Sequence, residues 1–208
     1  TQIGMPEESV PGTSDRMMDR SLDGNMARNQ ALEAALEGLN SIEADSLSPD
    51  RQRTHAVVTT LFEGMLSPSR VVDYGTTMAA WTAWYMPYSI AQNSGPTVDI
   101  PNFLNSQQPV TNAEEAETYL ARLATVRAAL DGALESYKHG VQAGAIPPDF
   151  IVEKSLAVVE SFIAPGAGMN PMYLSFTDKL EQAGIENAED YADRALQIID
   201  AEILPAYE

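Results

Sequence analysis

The sequence predicts an all-α protein, a multi-helix array. Three observations point there. Apolar residues recur three and four positions apart along most of the 208 residues, the spacing that gathers them on one side of a helix. No stretch alternates apolar and polar residues over five or more positions, so strands are not required. Gly and Pro cluster between the periodic runs, where helices stop and restart.

Taken in order, residues 1–13 (TQIGMPEESVPGT) carry two Pro and two Gly and are expected to be irregular, with one helical domain over 14–208. Helical spacing begins at Ser14 and runs to about Asp45, with Leu32, Ala35, Leu36, Leu39 and Ile42 as its stripe. Ser48-Pro49-Asp50 restarts a helix, Ser48 as cap and Pro49 in the first turn. Val57, Val58, Leu61, Phe62 and Met65 form its apolar side, and Ser67-Pro68 is expected to interrupt it. Residues 70–90 hold both tryptophans, Trp81 and Trp84, and read as a buried helix ending near Pro87.

A loop is expected over 92–101, where Asn93-Ser94-Gly95-Pro96 and Pro101 fall close together. Thr111-Asn112-Ala113-Glu114-Glu115 then opens a long helix, with a polar cap and acids in the first turn. Tyr119, Leu120, Leu123, Val126, Leu130 and Leu134 continue its face to about Gln142. Gly144 and Pro147-Pro148 separate it from a helix over about 148–163. The break APGAGMNP (164–171) precedes short helical pieces near 172–183, and a last helix starts at Asn187. No period of 20–50 residues repeats, so a solenoid is not supported.

Composition narrows the function. Thirty acidic against 12 basic residues give a formal charge of -18, a surface that repels phosphate backbones and anionic lipid. Nucleic acid is therefore not an expected partner. The absence of cysteine removes disulfide scaffolds, zinc ribbons and thiol nucleophiles. No apolar run reaches the roughly 20 residues a membrane-spanning helix needs, and no signal peptide is read within these residues. The chain does not begin with Met, and Ile203-Leu204-Pro205-Ala206-Tyr207-Glu208 stops inside an amphipathic pattern. A processed or truncated product, continuing past Glu208 in its natural form, is the expectation.

No catalytic constellation stands out. Asp19-Arg20-Ser21-Leu22-Asp23-Gly24-Asn25 resembles the first half of a calcium loop, but Gln30 occupies the position that needs a bidentate carboxylate. A continuous acidic helix explains it better. His55 and His139, the only histidines, lack acidic partners at metal-site spacing and read as structural or surface residues. The acids at 114, 115, 117 and at 186, 189, 190 sit in first turns, where capping accounts for them. Trp81, Trp84 and Tyr85 read as core. No metal ligand or catalytic residue is assigned. The segment 88–104, YSIAQNSGPTVDIPNFL, is the exception to a dull surface. It sets Tyr88, Ile90, Val98, Ile100 and Phe103 beside the amides of Gln92 and Asn93, the mixture that suits a ligand-facing wall.

The order of segments resembles the N-terminal part of the bacterial family called domain of unknown function 885. The likeness rests on the opening Thr1-Gln2-Ile3-Gly4, the Gln-x-x-Gly turn Gln92-Asn93-Ser94-Gly95, and Ile100-Pro101-Asn102-Phe103-Leu104. It continues with Asn112 to Leu123, the run Gly140, Gly144, Pro147, Pro148, and Leu204-Pro205-Ala206-Tyr207. The resemblance implies the N-terminal half of a larger helical fold, similar to zinc metallopeptidases that carry His-Glu-x-x-His. That motif is absent from this chain, so zinc is implied only for the missing C-terminal part. The chain alone is then expected to be inactive. Its partner would be the missing catalytic half or a second chain, its substrate peptide-like, and its location periplasmic or secreted, from a lipoprotein precursor. Tyr88, Gln92, Asn93, Gly95 and Phe103 are the candidate substrate-cleft residues. The alternative is a stand-alone helical binding or scaffold module.

Overall fold

Helices account for the architecture, as predicted, in a computed structural model that describes residues 12–71, 90–91 and 93–208. They are α1 (Leu22–Asn40), α2 (Pro49–Val71), α3 (Pro96–Ser106), α4 (Ala113–Ala124), α5 (Val126–Gln142) and α6 (Asp149–Ile163). After these come α7 (Pro171–Ala183), α8 (Ala188–Ile198) and α9 (Leu204–Tyr207). The only extended pairing among the described residues is an isolated bridge between Ala91 and Ser94. The Trp81–Trp84 segment, read above as a buried helix, lies outside the described residues.

Two compact units emerge from the described residues. One holds residues 20–71 and 134–146. The Ser21 hydroxyl caps α1 by accepting from the Gly24 amide at 3.1 Å. Helix therefore starts at 22, not at Ser14 as the spacing suggested, because a side-chain acceptor at 21 satisfies an otherwise orphaned amide. The calcium-loop resemblance is also set aside: its residues 22–30 are helical, and a helix cannot wrap oxygens around one ion. Leu36 is buried and Leu32 and Leu39 half-buried, whereas Ile42 falls past the helix end and is exposed. Buried Asn25 donates to Ser136 at 2.9 Å, and Ser136 donates to the Arg20 carbonyl at 2.8 Å, which pins the start of α1. His55 Nε2 donates to the Leu39 carbonyl at 2.8 Å, so this histidine ties α2 to the end of α1. Helix α2 continues through Ser67-Pro68 to Val71, against the expected interruption. A proline deletes one backbone hydrogen bond, and a helix of 23 residues retains many others.

The other unit holds residues 12–19, 90–91, 93–133 and 147–208. Asn112 caps α4 by accepting from Glu115 N at 3.0 Å, while the Glu115 carboxylate accepts from Thr111 N at 2.7 Å. This is the polar cap the sequence announced, with the first-turn carboxylate reaching back to the residue before the cap, a variant of the capping box. The expected long helix from 113 to 142 is broken once, at Thr125. Its hydroxyl donates to the Arg122 carbonyl at 2.7 Å and accepts from Met17 N at 2.8 Å. A threonine that bonds back onto its own backbone competes with the helix, and here the competition is rewarded by anchoring the N-terminal strand of coil. Asn170, wholly buried, caps α7 through Met172 N at 3.0 Å and donates to the Phe162 carbonyl at 3.3 Å. Gly184 ends α7 in the left-handed conformation that only glycine adopts cheaply. Helix α8 runs into a π turn, Ile199–Ile203, just ahead of Pro205. The proline has no N–H to give to the preceding turn, and the wider turn accommodates that loss.

The core of this unit centres on Tyr119, fully buried and stacked on Phe176 at 4.2 Å between ring centroids. Its hydroxyl donates to the Met172 carbonyl at 3.3 Å, and burial holds its ionisation well above the usual tyrosine range. Ile100, Leu104, Leu123, Val126, Leu180, Ile199 and Ile203 close around the stack. Replacing Tyr119 by Ala should cost about 3–5 kcal/mol in urea unfolding, and by Phe about 1 kcal/mol, since only the hydroxyl bond is lost. Equal losses for the two variants would remove Tyr119 from this role.

On the surface, Arg194 of α8 grips Glu117 of α4 with two bonds, 2.8 and 2.7 Å. That hydrogen bonding holds the Glu117 carboxyl below its ordinary 4.5. As the pH falls, the unfolded chain takes up this proton first. The pair therefore contributes fully above 4.5 and is lost as the pH drops through the lowered folded value. Both side chains are about half exposed, which limits the contribution to about 1 kcal/mol at most. Glu117→Gln should flatten this part of the acid-denaturation profile and leave stability near neutrality lower by that small amount; an unchanged acid limb would show the pair to be inert.

Candidate functional site

Among the described residues of the segment singled out in the sequence, Ala91 and Ser94 are bridged and a helix follows from Pro96, where a loop to residue 101 was expected. Ala91 and Ser94 exchange backbone hydrogen bonds of 3.2 and 3.3 Å, closing the turn. Gly95 stands at φ 102°, ψ 176°, a conformation that side chains with a Cβ avoid. Its carbonyl accepts from Val98 N at 3.0 Å and Asp99 N at 2.8 Å, which starts α3. Pro96 occupies the first helical position, where a missing N–H costs nothing.

Pro101 then lies inside the helix, where a proline costs about 3 kcal/mol. The expected loop rested on that penalty. Burial outweighs it: Ile100, Phe103 and Leu104 are all in the core, each worth about 1.5–3 kcal/mol. The proline is a local feature of the sequence, whereas the partners that offset it are distant along the chain.

Four side chains hold α3 in place. Lys179 of α7 donates to the carbonyls of Leu104 at 2.7 Å and Gln108 at 2.6 Å, capping the helix end. Burial lowers the pKa of this ammonium, while its positive charge suits a helix C-terminus. The Arg122 guanidinium lies 4.7 Å from the centre of the Phe103 ring and donates to the Thr13 carbonyl. Ser175 bonds Asn105 at 2.8 Å. At the other end, the Tyr207 hydroxyl donates to the Pro96 carbonyl at 3.4 Å. These positioning residues carry no motif of their own. Lys179 is visible in sequence only as a surface-type residue on a helical face.

Of the five candidate cleft residues, Tyr88 and Gln92 lie outside the described residues. Asn93 is exposed in the turn, and Gly95 is buried as its backbone pivot. Phe103 sits two turns further on, buried against Arg122. The structure thus brings Asn93 and Gly95 together and places Phe103 in the supporting core beneath α3. What the arrangement offers chemically is a stiff, neutral turn with an exposed amide, suited to hydrogen bonding. Among the described residues, no three His, Asp or Glu side chains come together to hold a metal ion, and no helix is long and apolar enough to cross a membrane.

These features define an all-helical protein with a stiff turn carried on a packed scaffold. Residues 1–208 match the family described as "Bacterial protein of unknown function (DUF885)", and the chain belongs to that family. The resemblance drawn from the order of its segments is thereby borne out. The fold is similar to a crystal structure described as "the putative lipoprotein from Colwellia psychrerythraea", with a TM-score of 0.87 at 18% identity. That match covers 99% of this chain but only 35% of the other, so this chain spans about a third of that protein's length. No curated protein matches the sequence.

Replacing Gly95 by Ala forces a Cβ into the pivot and should cost about 1–3 kcal/mol. Hydrogen exchange should localise the loss to α3. Unaltered exchange there would show that the turn does not hold the helix start.

Proposed function

We propose that this chain is the N-terminal, substrate-cleft-forming portion of a zinc-dependent, peptidase-like hydrolase whose catalytic motif lies outside it. The observation that carries the reading is the whole-chain family match together with a related fold three times as long. The segment-by-segment resemblance to a family similar to zinc metallopeptidases supplies the chemistry. Within that reading, Asn93 and its neighbours in the Gln-x-x-Gly turn wall the cleft, and Gly95 and Phe103 keep the wall rigid. Two histidines, at 55 and 139, with no His-Glu-x-x-His between them, leave the zinc ligands and the water-activating carboxylate to the remaining polypeptide. The lipoprotein description of the similar structure supports an exported location, as expected for an enzyme acting on peptides outside the cytoplasm.

The coding frame after residue 208 tests this directly. It should continue into a segment carrying His-Glu-x-x-His. The 208-residue chain should bind less than a tenth of an equivalent of zinc, an order-of-magnitude expectation for a chain without a ligand set, and cleave no peptide. Peptidase activity from the 208-residue chain, or a stop codon after Glu208, would overturn the proposal and favour a stand-alone helical binding module.

A further inference from the structure

Helix α6 is more apolar than its packing requires. On a helical wheel at about 100° per residue, Ile151, Val152, Leu156, Val158, Val159, Phe162 and Ile163 share an arc of about 160°. Only Phe162 of these is buried. The flank at Val152, Leu156, Val159 and Ile163 follows the i, i+4, i+7, i+11 line of a docking seam, yet Val152 is 44% and Leu156 55% exposed. Val159 and Ile163 are half-buried, Ile163 against the core, so the flank is open at its Val152–Leu156 end; single exposed aliphatics are ordinary, but adjacent ones on a continuous apolar line are a candidate contact.

What α6 does pack against is the chain's own last turn. The Phe162 and Tyr207 rings meet at 4.9 Å, tilted by 59°. Polypeptide leaving residue 208 would therefore emerge beside the open flank. The similar structure extends well beyond the matched part, since this chain covers 35% of it. Asp149, Glu153 and Glu160, all exposed, border the flank on its Leu156 side. A second copy of the same flank would bring a like-charged border against this one, which disfavours self-pairing.

We propose that the Val152–Leu156–Val159–Ile163 flank of α6 is the docking seam for the polypeptide that follows residue 208 in longer members of this family. The occupant is an amphipathic helix with an apolar stripe and Lys or Arg along the edge facing Glu153 and Glu160. This rests on the reading that such members continue past residue 208, and it adds where the continuation binds.

The test compares the 208-residue chain with the chain encoded by the continued frame, each with and without Leu156→Asp. In the long chain, wild-type α6 amides should exchange at least about tenfold more slowly than in the short chain. Leu156→Asp should lower the long chain's Tm by roughly 5 °C or more and leave the short chain's within about 1 °C. If the frame stops after 208, both this inference and the proposed function fail. If it continues but α6 exchange is unchanged and the substitution harmless, the docking seam alone fails. A short chain that dimerises and is made monomeric by Leu156→Asp would overturn it in favour of a second copy.

Discussion

Tyr119 is cut off from water on every side, and the larger unit is organised around that fact. A buried tyrosine needs a partner for its hydroxyl and a flat surface for its ring. The Met172 carbonyl supplies the first and Phe176 the second. Both belong to α7, so one side chain of α4 sets the position and rotation of that helix. Lys179, also on α7, passes 5.9 Å from the same ring on its way to the carbonyls that close α3. Moving Tyr119 would displace the helix that carries the cap of α3, and with it the turn at Asn93-Gly95.

Three polar side chains of this core serve backbone. Lys179 satisfies the end of α3, Asn170 the start of α7 and the end of α6, Arg122 the coil at Thr13. Buried carbonyls without partners cost more than a made bond returns, so each of these side chains is fixed by what it prevents. That distribution explains why the candidate segment is stiff. Its helix is short and carries a proline within it, and its stability comes from neighbours rather than from its own sequence.

Much of the fold was legible because it is locally coded. The Asn112–Glu115 cap, the Tyr119–Leu130 stripe, the Gly/Pro break at 164–171 and the start of the last helix near 187 are all read from residues within one or two turns of each other. The expectations that changed depend on distant partners. Pro101 looked like the end of a loop until Ile100 and Leu104 were seen in the core. Pro68 looked like a stop although its helix runs on. Thr125 looked unremarkable within a helix until the Met17 amide was found on its hydroxyl. For the candidate site, the sequence identified the turn and its glycine. It placed Phe103 on a wall, whereas Phe103 lies under the Arg122 guanidinium as support.

Sequence by itself determined the helical class, most helix starts and the family, because periodicity, caps and segment order are short-range or serial properties. It also determined that no His-Glu-x-x-His lies in these residues. Tertiary structure alone decided that 96–106 is helix, that Lys179 and Arg122 hold it, and that Val152 and Leu156 on one flank of α6 stay exposed among the described residues. Those outcomes depend on which surfaces meet between segments distant along the chain, and burial energies of that kind leave no mark on local spacing.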